Sequence, residues 1–123
     1  MQYAILCYHN EEAVFSWTKE QEAAVMAKLM AVQEPLARTG KLGPVARLMP
    51  TTAATTLRKS EDPPLVIDGP FAETKEQLLG FYVVECESLD EVLAFARELG
   101  RANPGGAYEI RPIFYFSPGT APA

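Results

Sequence analysis

The one histidine of the chain, His9, stands where an apolar run, Tyr3 to Tyr8, gives way to polar sequence. Imidazole is the side chain best suited to moving a proton near neutral pH, although a lone histidine is more often simply a surface residue. A second candidate is Asp68, which opens the segment Asp68-Gly69-Pro70-Phe71. Shielded by Phe71, its carboxylate would suit the role of proton acceptor. Asp-Gly is nevertheless turn chemistry first, with the aspartate side chain capping its own loop amides. Beside that turn Glu73, Lys75 and Glu76 form a charged run. Lys75 could anchor an anionic substrate or hold Asp68 ionised; the alternative is a solvated loop whose ion pairs are worth little. Arg111, flanked by Glu109 and Pro112, either pairs with Glu109 or Asp68 or clamps a carboxylate with its forked guanidinium. The expectation is a single cleft on which Asp68 and His9, as catalytic candidates, converge with Lys75, Arg111 and Glu73 as binding candidates.

The remaining chemistry is narrowed by absence of pattern. There is no GxSxG elbow, P-loop, GxGxxG or CxxC in the sequence. One histidine and no clustered cysteine argue against a metal site, and no nucleotide or other cofactor is indicated. Eleven basic residues are scattered through a chain of net charge −5, so phosphate neutralisation on a nucleic acid is not expected. No apolar run approaches the roughly 18 residues of a membrane span, and the N-terminus lacks the pattern of a signal peptide. A cytoplasmic location follows by default. Cys7 and Cys86 both lie in apolar, strand-like segments and are expected to be reduced, buried and far apart. An apolar strand also makes Cys7 a poor nucleophile.

The elements that would hold these residues read as follows. With 123 residues, 48% hydrophobic and 22% charged, the chain has the composition of one globular domain. That domain is expected over residues 1–116, with 117–123 a flexible tail. Tyr3 to Tyr8 is short and continuously apolar, as in a strand covered on both faces. Thr18-Lys19-Glu20-Gln21 has the form of a capping box and opens a helix to Thr39. Its stripe is Val25, Leu29, Val32 and Leu36, widened by Met26 and Met30, and Pro35 should kink it. Lys41 to Pro50 suggests a short, irregular strand. Thr51 to Lys59 and Pro64 to Asp68 suggest a hairpin around Ser60-Glu61-Asp62-Pro63. Phe81 to Cys86 is a further strand. Ser88-Leu89-Asp90-Glu91 is a second capping box, opening a helix along Leu89, Val92, Leu93, Ala96 and Leu99 to Gly100. After the turn Asn103-Pro104-Gly105-Gly106, Tyr108 to Phe116 is the last strand.

That order is an α+β, ferredoxin-like βαββαβ pattern with an extra β-hairpin. Two helices cover one face of a four-stranded sheet, yet three of the strands are apolar towards both faces. A second copy of the chain laid on the open face would cover them, which predicts a homodimer.

The segment Asp68-Gly69-Pro70-Phe71-Ala72-Glu73-Thr74-Lys75-Glu76 resembles the DGPF family, a branch of the YCII-related domain proteins. The likeness extends to Gly80-Phe81-Tyr82, to Ser88-Leu89-Asp90-Glu91 and to Glu109-Ile110-Arg111-Pro112, nearly the whole chain in order. The resemblance implies a ferredoxin-like domain pairing into a dimeric α+β barrel. It further implies association with an alternative sigma factor. For YCII-related proteins generally a His–Asp pair has been proposed as catalytic, with the histidine on the first helix. Here the helix from Thr18 to Thr39 has none, so that pair does not carry over.

Two readings of function follow. One is a homodimeric module that binds a small organic molecule in a cleft at the dimer seam, in a regulatory role. The other is a cofactor-free enzyme of lyase or isomerase type, doing acid–base chemistry on a small, partly apolar substrate.

Overall fold

The computed structural model describes residues 1–119. Its main layer is a four-stranded antiparallel sheet built from β1 (Gln2–His9), β2 (Leu42–Arg47), β5 (Gln77–Glu85) and β6 (Ala107–Pro112), in the order β2-β5-β1-β6. Two long helices, α2 (Lys19–Arg38) and α3 (Leu89–Ala102), connect them. The connectivity is that expected of a ferredoxin-like sheet. Within the β2-to-β5 connection lies a hairpin, β3 (Thr55–Arg58) with β4 (Leu65–Asp68), which forms its own two-stranded sheet.

The helices form where local chemistry asks for them. Thr18 accepts from the Gln21 amide while the Gln21 side chain accepts from the Thr18 amide, a complete capping box. The helix then runs on through Pro35 to Arg38. In α3 the Ser88 hydroxyl accepts from the Glu91 amide, but the Glu91 carboxylate reaches one residue further back, to the Glu87 amide at 3.0 Å. Leu29 of α2 and Val92, Phe95 and Leu99 of α3 are buried against one sheet face. There they meet Tyr3, Ile5, Tyr82 and Val84. Val92, Leu99, Ile5 and Val84 are fully enclosed, each contributing about 1.5–3 kcal/mol of burial. Phe95 was not part of the stripe read from the sequence, while Leu89, which was, is exposed.

Several strand boundaries differ from expectation, three of them as follows. β5 begins at Gln77, four residues early, and passes through Gly80. That residue must be glycine, because a Cβ there would lie 2.4 Å from the Ala46 carbonyl oxygen of β2. β6 ends at Pro112 rather than Phe116, since proline brings no donor to the ladder. One more backbone bond follows, from the Ile113 amide to the Gln2 carbonyl at 2.9 Å, and Phe114 and Tyr115 then stand exposed. The third difference is at Thr51–Ala53, expected to be strand, which forms a single 3-10 turn. Of the tail expected at 117–123, residues 120–123 lie outside the described residues.

An element absent from the sequence reading is the short helix α1 (Glu11–Phe15), inserted between β1 and α2. Asn10 caps it by accepting from the Ala13 amide at 3.1 Å. The two cysteines are free, as expected; Cys86 is buried, but Cys7, expected buried as well, is only half-buried. Cys7 pairs in register with Gly80, whereas Cys86 follows the last residue of β5, at the opposite end of the strand pair.

Candidate functional site

At the end of the sheet where β1 finishes, two depressions lie on either side of α1. The first is an apolar cavity of about 400 Å³ between α2 and the sheet. Val25, Met26, Leu29, Met30 and Gln33 of α2 form one wall, and Val14 and Trp17 close another. Met26 and Met30, expected only to widen the helix stripe, line this opening, Met30 largely exposed and Met26 less so. The sheet contributes Cys7, Tyr82 and Tyr108, whose side chains share the helix-facing side by strand register.

His9 sits on the cavity wall, partly exposed. Its Nδ1 lies 3.3 Å from the Asn10 carbonyl oxygen and its Nε2 3.3 Å from that of Pro104. A neutral imidazole has one N–H and donates to one of these carbonyls; the protonated ring has two and donates to both. The position of the ring depends on Gly105 and Gly106, both at positive φ. A Cβ on Gly105 would come 2.7 Å from His9 Nε2, and one on Gly106 would come 2.1 Å from the Tyr8 carbonyl oxygen. The turn read from Asn103-Pro104-Gly105-Gly106 therefore does more than reverse the chain. It presses backbone against the histidine.

The thiol and the two phenols of the cavity are uncharged at ordinary pH. Burial pushes the Cys7 thiol up to about 12, which removes it as a nucleophile at ordinary pH. Burial, reinforced by the neighbouring Cys7, likewise pushes the Tyr82 phenol up to about 12. Tyr108 is raised further for the same reasons. The Tyr82 hydroxyl accepts from Gln33 Nε2 at 3.5 Å. Asn103, beside the cavity, keeps its Oδ1 sealed from solvent with no partner among the described residues. At the mouth Arg47 pairs with Glu22 and lies over the Phe15 ring at 5.4 Å.

The second depression is polar, about 760 Å³, and contains Asp68 and Glu73 together with Glu11, Thr51 and Gln77. Glu11 is its anchor. Its carboxylate accepts from the Thr51 amide at 2.8 Å and from the Thr51 hydroxyl, while its own amide donates to Gln77 Oε1 at 2.9 Å. The Gln77 side chain in turn donates to the Thr74 carbonyl at 2.6 Å. Asp68 is exposed, and its carboxylate accepts no hydrogen bond among the described residues, so the expected side-chain cap of the turn is not formed. The hairpin is held instead by the Gly69 amide on the Ala54 carbonyl and the Thr56 hydroxyl on the Gly69 carbonyl, both at 2.8 Å.

The five residues singled out in the sequence thus fall in different places. Asp68 and Glu73 share the polar depression, and His9 belongs to the apolar cavity across α1. Lys75 is exposed and lines neither. Arg111 lies in register with Ala4, so it projects to the open face of the sheet, where its Nε donates to Glu109 at 2.6 Å. The single cleft anticipated from the sequence is not formed: its members line two separate depressions, an exposed run and the far face of the sheet.

The sequence profile of the YCII-related domain matches residues 1–117. The chain belongs to that family. This YCII-related chain is 57% identical over 124 residues to an uncharacterized protein, R00369, of Rhizobium meliloti (strain 1021), with 100% of each covered. Among solved structures it resembles 5-chloro-2-hydroxyhydroquinone dehydrochlorinase (TftG) from Burkholderia phenoliruptrix AC1100, in complex with 2,5-dihydroxybenzoquinone. The TM-score is 0.56 at 17% identity, covering 94% of this chain and 96% of that one. At that identity the likeness is one of fold.

Tyr82, Tyr108, Gln33 and the two glycines were not singled out as site residues. Gln33 did leave a signal, since Met26, Met30 and Gln33 follow one another at i, i+4 and i+7 beside the apolar stripe, putting one polar group on a buried-looking face. The tyrosines left none beyond alternation, because a phenol in a strand reads as core.

Proposed function

We propose that this YCII-related chain binds a small, mostly apolar organic molecule in the cavity between α2 and the sheet. The observation that carries the reading is the cavity itself. Its volume is in the range of small-ligand sites, and its apolar walls carry a few convergent polar heads. The structural neighbour supports it, being a dehydrochlorinase complexed with 2,5-dihydroxybenzoquinone, a ring of a size such a cavity admits. The test is calorimetric titration with a panel of small hydroxylated rings, repeated on Met26→Trp, which puts an indole at the opening from a partly exposed position. Binding that Met26→Trp weakens at least tenfold supports the reading. Binding to both proteins alike would sink it.

The enzyme reading is favoured by one observation, the placement of His9. As a base it would first have to turn its unprotonated ring nitrogen from the backbone carbonyl to the cavity and take the proton there, and the imidazolium, swung back, would donate to the carbonyls of both Asn10 and Pro104. Asp68 has no part in this step, since it opens on the other side of α1. His9→Gln should then abolish turnover while leaving binding nearly intact; equal loss of both would favour a purely binding role.

The homodimer belongs to the same proposal. Ala4, Leu6, Phe81 and Val83 face away from the helices by strand alternation; within one copy Val83 is already buried and the other three are half-buried. A second copy on that face would complete a dimeric barrel, with Glu109 and Arg111 at its rim. The ligand cavity then lies on the helix side of each sheet, not at the seam. The charged run shared with the DGPF branch supports placing the chain within it.

A further inference from the structure

Within that cavity, and resting on the reading that it holds a ligand, the tyrosines narrow what the ligand is. Tyr108 stands in register with Cys7, and Tyr82 lies two residues along β5 from Gly80, the other partner of Cys7. The thiol and the two phenols therefore gather on one wall. Gln33 donates to the Tyr82 oxygen, which leaves the Tyr82 proton free to be donated elsewhere. The Tyr108 hydroxyl has no hydrogen-bond partner among the described residues, and it is not sealed off as the Asn103 oxygen is. Tyr108 is half-buried and its hydroxyl opens to the cavity, so its proton can be given to a ligand oxygen in place of water. No carboxylate lines the cavity among the described residues, and its guanidinium, Arg47, is already paired with Glu22.

We propose that the cavity takes an uncharged, oxygen-bearing ring whose oxygen accepts hydrogen bonds from Tyr108 and Tyr82, and that it rejects the ionised form of the same molecule. The physical reason is shared between protein and ligand. A wall that disfavours a phenolate on Tyr82 or Tyr108 by withholding water disfavours an anion placed against it, since Arg47 is already paired with Glu22 and both ring nitrogens of His9, the other basic group of the lining, face the backbone carbonyls of Asn10 and Pro104.

The probe is 4-nitrophenol, whose neutral and ionised forms absorb at different wavelengths, titrated into the full chain across its own ionisation. The bound probe should keep the neutral absorption at pH values where the free probe is ionised. Its affinity should fall by about tenfold per pH unit above the probe's pKa. Tyr108→Phe should weaken the neutral probe by about fivefold, the worth of one neutral hydrogen bond. Its melting temperature should not fall, since the lost hydroxyl bonds nothing in the protein. A bound probe with phenolate absorption, or undiminished affinity in Tyr108→Phe, overturns the proposal. If Met26→Trp excludes the probe in either case, the cavity remains the binding site and only this inference falls. If 4-nitrophenol binds Met26→Trp as it binds the unmodified chain, or binds neither, the reading of the cavity falls with it.

Discussion

Gly106 and Gly40 share a φ of +74°, but a Cβ on Gly106 would lie 2.1 Å from the Tyr8 carbonyl oxygen, whereas one on Gly40 would meet nothing within 4 Å. Substituting each by alanine therefore separates backbone strain from steric contact. The left-handed conformation costs an L-residue about 1–2 kcal/mol. Loss of freedom in the unfolded chain offsets about 0.4–1 kcal/mol of that, so Gly40→Ala should destabilise by about 1 kcal/mol. Gly106→Ala carries the same strain and must also push β1 away from the turn, adding about 1–3 kcal/mol as overpacking does elsewhere. For a chain of this length 1 kcal/mol corresponds to roughly 3–5 °C in Tm. The expected losses are then about 3–5 °C for Gly40→Ala and about 6–20 °C for Gly106→Ala, read by calorimetry and checked by urea unfolding with an unchanged m-value. Gly105→Ala is the informative third variant. Its Cβ would meet only the tip of the His9 ring, at 2.7 Å, and a ring can swing. Its Tm should fall close to that of Gly40→Ala while the His9 ring resonances shift and probe binding changes. Equal Tm losses for Gly40→Ala and Gly106→Ala would refute the close approach of the turn to β1, and with it the account of how His9 is positioned.

The amide of Glu87 and the ammonium of Lys41 hold Glu91 below the usual carboxylate range. The stability this confers is whole above the ordinary carboxylate pKa and drains away as pH falls through the lower folded value. Glu91→Gln should therefore lower the urea midpoint at pH 7 and converge on the unmodified protein at acid pH; a gap that stays constant across the range would contradict it. Burial raises both thiols, Cys7 to about 12, so neither should react with a chromogenic disulfide at pH 8 until the chain is unfolded, when two equivalents should appear. Rapid reaction of either in the folded protein would place it nearer the surface. Phe81→Glu, on the open sheet face, should convert a dimer to a monomer in sedimentation; a monomer before substitution would overturn the proposed pairing.

Much of the architecture was legible because its causes are local. A hydroxyl three residues ahead of a glutamine satisfies helix amides wherever it occurs, and Thr18 and Gln21 do so here. Apolar spacing marked Leu29, Val92 and Leu99 as buried, and the order of elements yielded the observed strand neighbours. Pro112 and Gly80 moved strand ends for reasons visible only across the sheet, one in the missing donor, the other in the Ala46 carbonyl that leaves no room for a side chain.

The site was decided by tertiary structure. Residue types alone put His9 with Asp68, Lys75 and Arg111, because all could do proton or charge chemistry. Folding put His9 and Asp68 in separate depressions and turned Arg111 to the far face of the sheet. What stands near His9 instead comes from segments far apart in the chain: Gln33 from a helix, Tyr82 and Tyr108 from two strands, and Gly105 from a turn. Capping and periodicity act over three or four residues, so they can be read along a chain. A cavity exists only where surfaces from distant segments fail to fill the space between them, and no local rule records that failure.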